Sequence, residues 1–385
     1  MDFHNKAYNR FKKTFKEVDD FRQEGKIKHP LIEILFIAVV ATIAGADGWI
    51  AIGTFAESKE EWLRQYIPLD NGVPSHDTFE RVFENIDVVS FNRTFINWTE
   101  RLSKKTKDRI IAVDGKTLRR SHDGERSAIH IVNAWVDEND MILGQLKTEE
   151  KSNEITAIPE LLEMLFLKGS IVTIDAMGTQ KKIVEKIIEK KGDYVLALKG
   201  NHQTFSDEVK LYFEDAIKNN FEGIEVSKKR TLEKGHGRIE KREYFQTNDI
   251  GWFEEKHLWA KLTSIGMVRR TITKKEKTTV EVSYFISSLD APKEEKCELF
   301  AKAVRKHWGI ESCHWILDVV FREDDSRVRK NNGASNLSGL KKIALNVLKA
   351  EKVTKKKTSL KMKRYKAGLN EDFLGKILEG MNSTI

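Results

Sequence analysis

Ile110-Ile111-Ala112-Val113-Asp114-Gly115 and Ile171-Val172-Thr173-Ile174-Asp175-Ala176 carry the deciding pattern of this chain. Each is an apolar, β-rich run ending in an aspartate. Short runs of this kind read as strands, and an acid at a strand's end lies at the rim of a sheet, where ligands bind in open α/β folds. A third acid, Glu311, lies in His307-Trp308-Gly309-Ile310-Glu311-Ser312-Cys313-His314-Trp315-Ile316-Leu317-Asp318, whose helical spacing sets His307, Glu311, His314 and Asp318 along one stripe. Although 61 and then 136 residues separate the acids, two strand ends and a helix can converge on one site. Three carboxylates point to divalent metal chemistry, because Mg²⁺ takes one or two carboxylates per ion and completes its shell with water and substrate phosphate.

Each acid also has a plainer reading. Asp114-Gly115 is a turn-forming dipeptide, Asp175 is placed to cap the next helix, and Glu311 is placed to pair with His307 or His314 on a helix surface. The two histidines invite zinc with Glu311 and Asp318, but lack the two-histidine, one-turn spacing of a metallohydrolase helix. Trp308 and Trp315, seven apart, are expected to pack as core.

Working outward, Ala128 to Val136 and Met141 to Lys147 read as strands flanking the turn Asp137-Glu138-Asn139-Asp140, giving three antiparallel strands with Ile110 to Asp114. A helix from about Glu154 to Leu167, the strand ending at Asp175, a helix from about Gln180 to Lys190 and a strand Tyr194 to Leu198 alternate as βαβ, which makes parallel pairs. Between about 222 and 290 charge-rich strands return, read at Gly223 to Val226, Ile239 to Gln246, Leu258 to Val268 and Val280 to Ser287. Long helices follow, from about Lys293 to Val320 and Asn336 to Lys349. Residues 1 to 105 read as an all-helical module, with Ser75 and Asp77 as polar starts and Gly45 and Gly72 as breaks. The expected organisation is this helical module at 1–105, then a catalytic α/β domain at 106–385 with a β-rich insertion at about 222–290.

The net charge of +8 favours a polyanionic partner. Lys12, Lys13, Lys16, Arg22, Lys26 and Lys28 make the first segment basic, and nine Lys or Arg against Glu351 do the same for 349–366. Either run is read as a solvated face or as a phosphate contact. Cys297 and Cys313 are the only cysteines and belong to no CxxC pair, against a zinc module or a disulfide framework. The start lacks a secretory pattern, and Leu31 to Ala46 falls short of the roughly 20 apolar residues that span a bilayer. A buried helix, no membrane partner and a reducing cytoplasm are expected.

At these residues the sequence resembles the DDE transposases of bacterial insertion sequences, most nearly the H-repeat-associated (As-type) group. Gly72-Val73-Pro74-Ser75-His76-Asp77-Thr78-Phe79 resembles the region preceding the catalytic domain. Asp114-Gly115-Lys116 with Arg119 resembles the first catalytic block. Asp175-Ala176 with Leu198-Lys199-Gly200-Asn201-His202 resembles the second, and His307 to Asp318 with Arg322-Glu323-Asp324 the third. Gly235-His236-Gly237-Arg238-Ile239-Glu240 resembles a recurring block within the insertion.

The resemblance implies a ribonuclease-H-like mixed sheet, a catalytic, metal-binding triad of Asp114, Asp175 and Glu311, and Mg²⁺ or Mn²⁺ as cofactor. It further implies double-stranded DNA as partner (terminal inverted repeats and target), a homodimer on that DNA, and a bacterial, nucleoid-associated location. One departure stands out. Related transposases set a Tyr and an Arg before the catalytic Glu and a Lys after it, where this chain has Val304, His307 and Asp318. Phosphate handling then falls to other groups: Lys116, Arg119, Lys199, Arg305 and Lys306 are candidates, with Asn201, His236, Arg238, His307, His314 and Asp318 as supporting residues. The expected reaction is cleavage at element ends with 3′-end strand transfer. Alternatives are a metal-dependent nuclease on the same fold, or an inactive transposase-derived DNA-binding regulator.

Overall fold

The computed structural model describes residues 2–103, 106–122, 127–148, 154–235, 237–275, 277–291, 297–354 and 356–380. The helical start runs α1 (Asp2–Phe15), α2 (Leu31–Ile43), α3 (Trp49–Ser58), α4 (Glu60–Leu63), α5 (His76–Asn85) and α6 (Val88–Leu102). Then come β1 (Arg109–Thr117), β2 (His130–Val136), β3 (Met141–Thr148), α7 (Glu154–Met164), β4 (Ser170–Ile174), α8 (Lys181–Glu189), β5 (Asp193–Leu198) and α9 (Gln203–Lys218). The insertion supplies β6 (Ser227–Gly235), β7 (Arg238–Thr247), β8 (Ser264–Lys274) and β9 (Lys277–Ser287), and the chain closes with α10 (Cys297–Val320), α11 (Gly333–Ala350), α12 (Leu360–Leu369) and α13 (Glu371–Gly380). These elements form two compact units: Met1–Lys104, Gly115–Asn153 and Glu311–Ile385 make the first, Lys105–Asp114 and Glu154–Ile310 the second.

The first unit is built on helix packing. Ser75 starts α5 by accepting the Thr78 N–H at 3.4 Å, and Asp87 starts α6 by accepting that of Ser90 at 2.7 Å, each satisfying a donor that a helix start leaves orphaned. Gly45 and Gly72 break the chain at φ +119° and +71°, conformations that favour glycine. α2 is buried along nearly its whole length, as its apolar sequence demands, and among the described residues no helix is long and apolar enough to cross a membrane. α11 is buried from Gly333 to Leu348. Its Asn346 accepts the Ile142 N–H at 3.0 Å and donates to the Ile142 carbonyl at 2.8 Å. This occupies backbone groups of β3, an edge strand that would otherwise be a template for pairing. The basic stretch 349–366 is not a solvated tail throughout. Arg364 is buried and donates to the carbonyls of Thr42, Ala46 and Val320 and to Asp47.

In this unit the strand order is β3-β2-β1, with β2 and β3 antiparallel about the expected turn. In the second unit it is β1-β4-β5-β9-β8-β7-β6. β1, β4 and β5 are parallel, with Ile111 beside Val172 and Val172 beside Tyr194, and α7 and α8 make the crossovers. This is the ribonuclease-H-like mixed sheet, extended by an antiparallel insertion.

Two insertion strands lie further along the chain than the sequence suggests. Strands expected at 223–226 and 258–268 are found at Ser227–Gly235 and Ser264–Lys274. β6 is a mainly cationic run with a single apolar residue, Leu232, so hydrophobic periodicity is silent there, and its pairing with β7 fixes it instead. β8 starts late because a 3-10 turn occupies Glu254–Leu258. Gly266 of β8 lies under the Phe300 ring of α10, where an added Cβ would come within 2.2 Å of the ring. Gly266→Ala is therefore expected to destabilise the second unit by about 1–3 kcal/mol through overpacking, read as a lower midpoint in urea with an unchanged slope.

Candidate active site

The two aspartates meet in the second unit. The last β1–β4 pair in register is Val113 beside Ile174, so Asp114 and Asp175 are the next residue on each of two neighbouring parallel strands. That spacing is about 4.8 Å between backbones, with both side chains on the same face. Both residues are half-buried. Asp175 Oδ1 accepts the Met177 and Gly178 N–H groups at 3.1 and 3.3 Å, so the turn after β4 orients the carboxylate. Gly178 permits this turn, since a Cβ there would come within 2.2 Å of Ile174.

The chain after β5 is tied to the same rim. Asn201 donates to the Ala176 carbonyl, His202 Nε2 bonds the Thr179 carbonyl at 2.6 Å, and Thr179 donates to the Ala197 carbonyl at 2.6 Å. Lys199, at the head of this loop, is exposed with no carboxylate in ion-pair range among the described residues. His307 of α10 bonds Thr173, two residues before Asp175 and so on the same face, with Nδ1 3.1 Å from Oγ1. Burial holds the His307 pKa below the ordinary histidine value, against the pull of Asp175.

The first unit holds the other end of the α10 stripe. Lys116 lies two residues after Asp114 on β1, hence on the same face. Its ammonium bonds Asp318 and lies 2.6 Å from Glu323 and 3.8 Å from Asp324. Burial alone would lower the Lys116 pKa; Glu323 and Asp318 raise it above the ordinary lysine value. Glu323 is only 3% exposed. Burial works to raise its pKa, yet Lys342 and Lys116 hold it well below the carboxylate range. Ser338 donates to its second oxygen at 2.7 Å.

His314 is neutral in this setting. Asn133 Nδ2 lies 3.2 Å from its Nε2, and burial, reinforced by Lys116 and Lys342, pushes its pKa down to about 3. Folding stability should therefore fall as the pH drops below about 6.5, where the unfolded chain takes a proton that the folded site refuses until about pH 3. Urea titrations are expected to show a progressive loss across that window, flattened in His314→Gln.

Glu311 belongs to the first unit and is exposed, though partial desolvation raises its carboxyl above the ordinary range. Among the described residues no three His, Cys, Asp or Glu side chains gather as a metal-ligating cluster. Asp114 and Asp175 are the two acids this conformation sets side by side. Their all-oxygen, two-carboxylate donor set suits a hard divalent ion that completes its shell with water and phosphate.

Several cations named from sequence have acidic neighbours. Arg119 pairs with Asp324, Arg238 with Glu240 and Arg305 with Glu233, each at 3.3 Å, while His236 lies outside the described residues. The tryptophans of α10 are not core: Trp308 and Trp315 are 51% and 62% exposed, because the buried side of the helix is set by Ile310, Cys313 and Leu317. Sequence reasoning missed Thr173, Asn133, Thr179 and Lys342, polar residues whose partners lie far along the chain.

The profile of the family described as Transposase DDE domain matches residues 105–347, and that of DDE_Tnp_1-associated matches residues 12–99. The chain belongs to the DDE transposase family. It is 45% identical over 368 residues to "Putative transposase YncI" of Escherichia coli O157:H7, spanning 94% of this chain and 92% of that one. It is 40% identical over 372 residues to "H repeat-associated putative transposase YhhI" of Escherichia coli strain K12, spanning 94% and 96%.

Proposed function

We propose that this DDE transposase cuts DNA at the ends of its own element and joins the freed 3′-ends to target DNA, with Asp114, Asp175 and Glu311 holding Mg²⁺ or Mn²⁺. The side-by-side placement of Asp114 and Asp175 carries the reading, because two carboxylates at neighbouring register positions supply the hard oxygen donors that such an ion takes. The α10 stripe supports a place for Glu311. His307, one helical turn before it, bonds Thr173 on the strand face that carries the aspartates.

Divalent ions held there would activate the attacking oxygen and stabilise the leaving oxygen of an in-line displacement. The chain's own groups supply the setting. Met177 and Gly178 fix the Asp175 carboxylate, Lys199 offers an exposed cation to a phosphate, and His307, kept neutral, holds α10 to β4 without adding charge. Water as nucleophile gives hydrolysis and a DNA 3′-hydroxyl gives joining. Two DNA ends call for a homodimer on DNA, and such a protein works at the nucleoid.

A precut element end incubated with a supercoiled target plasmid and Mg²⁺ tests the reading. Products joined at a 3′-end are expected. Cleavage without joining would favour a nuclease, and binding without either would favour a regulator.

A further inference from the structure

β6 to β9 form a ribbon whose two faces differ in charge. Residues paired across neighbouring strands share a face, so the registers sort the side chains. One face carries Glu233, Glu240, Arg242, Arg270 and Glu281. It is closed by ion pairs among them and by α10, which sets Arg305 3.3 Å from Glu233 and Trp308 under Arg270.

On the opposite face Arg230, Glu243, Arg269 and Val282 form one cross-strand row, Leu232, Lys241, Thr271 and Val280 the next, and Lys234, Ile239, Thr273 and Thr278 the last. Rows are about 6.8 Å apart. Lys241 is paired with Glu243 at 2.6 Å, whereas Arg230, Lys234 and Arg269 have no carboxylate in ion-pair range among the described residues. Rings from α9 and the residues after it cover only the preceding row, Phe213 against Tyr284 and Phe221 against Phe245. Leu232, Ile239, Val280 and Val282 are exposed between the cations.

We propose that this open face of the insertion docks the sugar-phosphate backbone of duplex DNA, with Arg230, Lys234 and Arg269 on phosphates and the aliphatic side chains against sugars and base edges. The inference rests on the transposase reading and adds where DNA outside the cleavage site is held. Charge selects the occupant. A second copy docking the same face on itself would set these cations against their own images, in a chain that carries a net +8 overall, whereas DNA presents one negative charge per about 1.7 Å. Arg238, named from sequence for DNA, pairs with Glu240 at 3.3 Å and lies on the other face.

The test uses the full chain carrying Asp175→Asn, with chelator present, so that binding is read apart from catalysis. Fluorescence anisotropy on a short duplex of arbitrary sequence is followed from low to high salt. Adding Arg230→Ala, Lys234→Ala and Arg269→Ala together should reduce the slope of log affinity against log salt by about 2.7, with at least about tenfold weaker binding. Thr271→Lys on the same face should steepen the slope by about 0.9, a gain that a misfolded chain would not show. Unchanged slopes in both variants would overturn the inference, as would loss of self-association by light scattering with DNA binding intact. Neither result would touch the metal site, whose failure would appear only as DNA processing by Asp175→Asn in Mg²⁺.

Discussion

Asp175→Asn loses strand transfer in Mg²⁺ by on the order of 10³-fold while fold and DNA affinity stay at the wild-type level. The substitution is nearly isosteric, and the asparagine oxygen still accepts the Met177 and Gly178 N–H groups that shape the turn. What disappears is one negative charge beside Asp114. An ion worth several kcal/mol in the transition state would then be held by too few charged oxygens, and each 1.36 kcal/mol lost is a factor of about ten in rate. Asp175→Cys should be as inactive in Mg²⁺ and recover part of its rate in Mn²⁺, since a thiolate is a poor ligand for Mg²⁺ and a better one for a softer ion. Joining assays on a precut end measure both. Full activity of Asp175→Asn would remove the aspartate from the chemistry.

The largest effect on stability is expected at Glu323. Its carboxylate lies between Lys116 and Lys342, with Nζ distances of 2.6 and 3.8 Å, and all three side chains are nearly or fully shielded from water. Glu323→Ala leaves two buried ammonium groups short of their counter-charge, and breaking such a network costs about 3–5 kcal/mol. For a unit of this size that is roughly a 10 °C fall in melting temperature. Glu323→Gln keeps a partner for the Ser338 hydroxyl and removes only the charge. Because the folded carboxyl titrates well below its unfolded value, its contribution is present above about pH 4.3 and is lost as the pH falls below that point. Wild type and Glu323→Gln should therefore converge in acid. A gap that persisted there would mean that the carboxylate is not the stabilising group. Secondarily, Lys116 would lose a partner two residues from Asp114, so strand transfer should fall before unfolding does.

β1, β4 and β5 were legible in the sequence because a strand buried on both faces is a continuous apolar run, and an aspartate closing such a run leaves little choice of where it sits. The α10 stripe was legible from its period. Harder to see was α9, although Phe205, Val209, Phe213 and Ala216 recur at helical spacing along its buried side; its start has no side-chain cap to announce it. β6 was displaced in the reading because its one apolar residue, Leu232, gives no hydrophobic period, and only the pairing with β7 fixes it. The Glu323 network lay beyond sequence reasoning altogether. Lys342 and Glu323 are residue types expected at the surface, and nothing local shows that they neutralise each other inside the fold. The same limit applies to Lys116, where an apparent phosphate ligand is engaged by Asp318 and Glu323.

Fe²⁺ in place of Mg²⁺, with ascorbate and peroxide, generates hydroxyl radicals at the bound ion and breaks the polypeptide beside its ligands. With DNA bound, cuts are predicted next to Asp114, Asp175 and Glu311 together, suppressed by excess Mg²⁺ and lost in Asp175→Asn. Cuts at the two aspartates that never include the Glu311 segment would contradict the claim that these three carboxylates share one metal site.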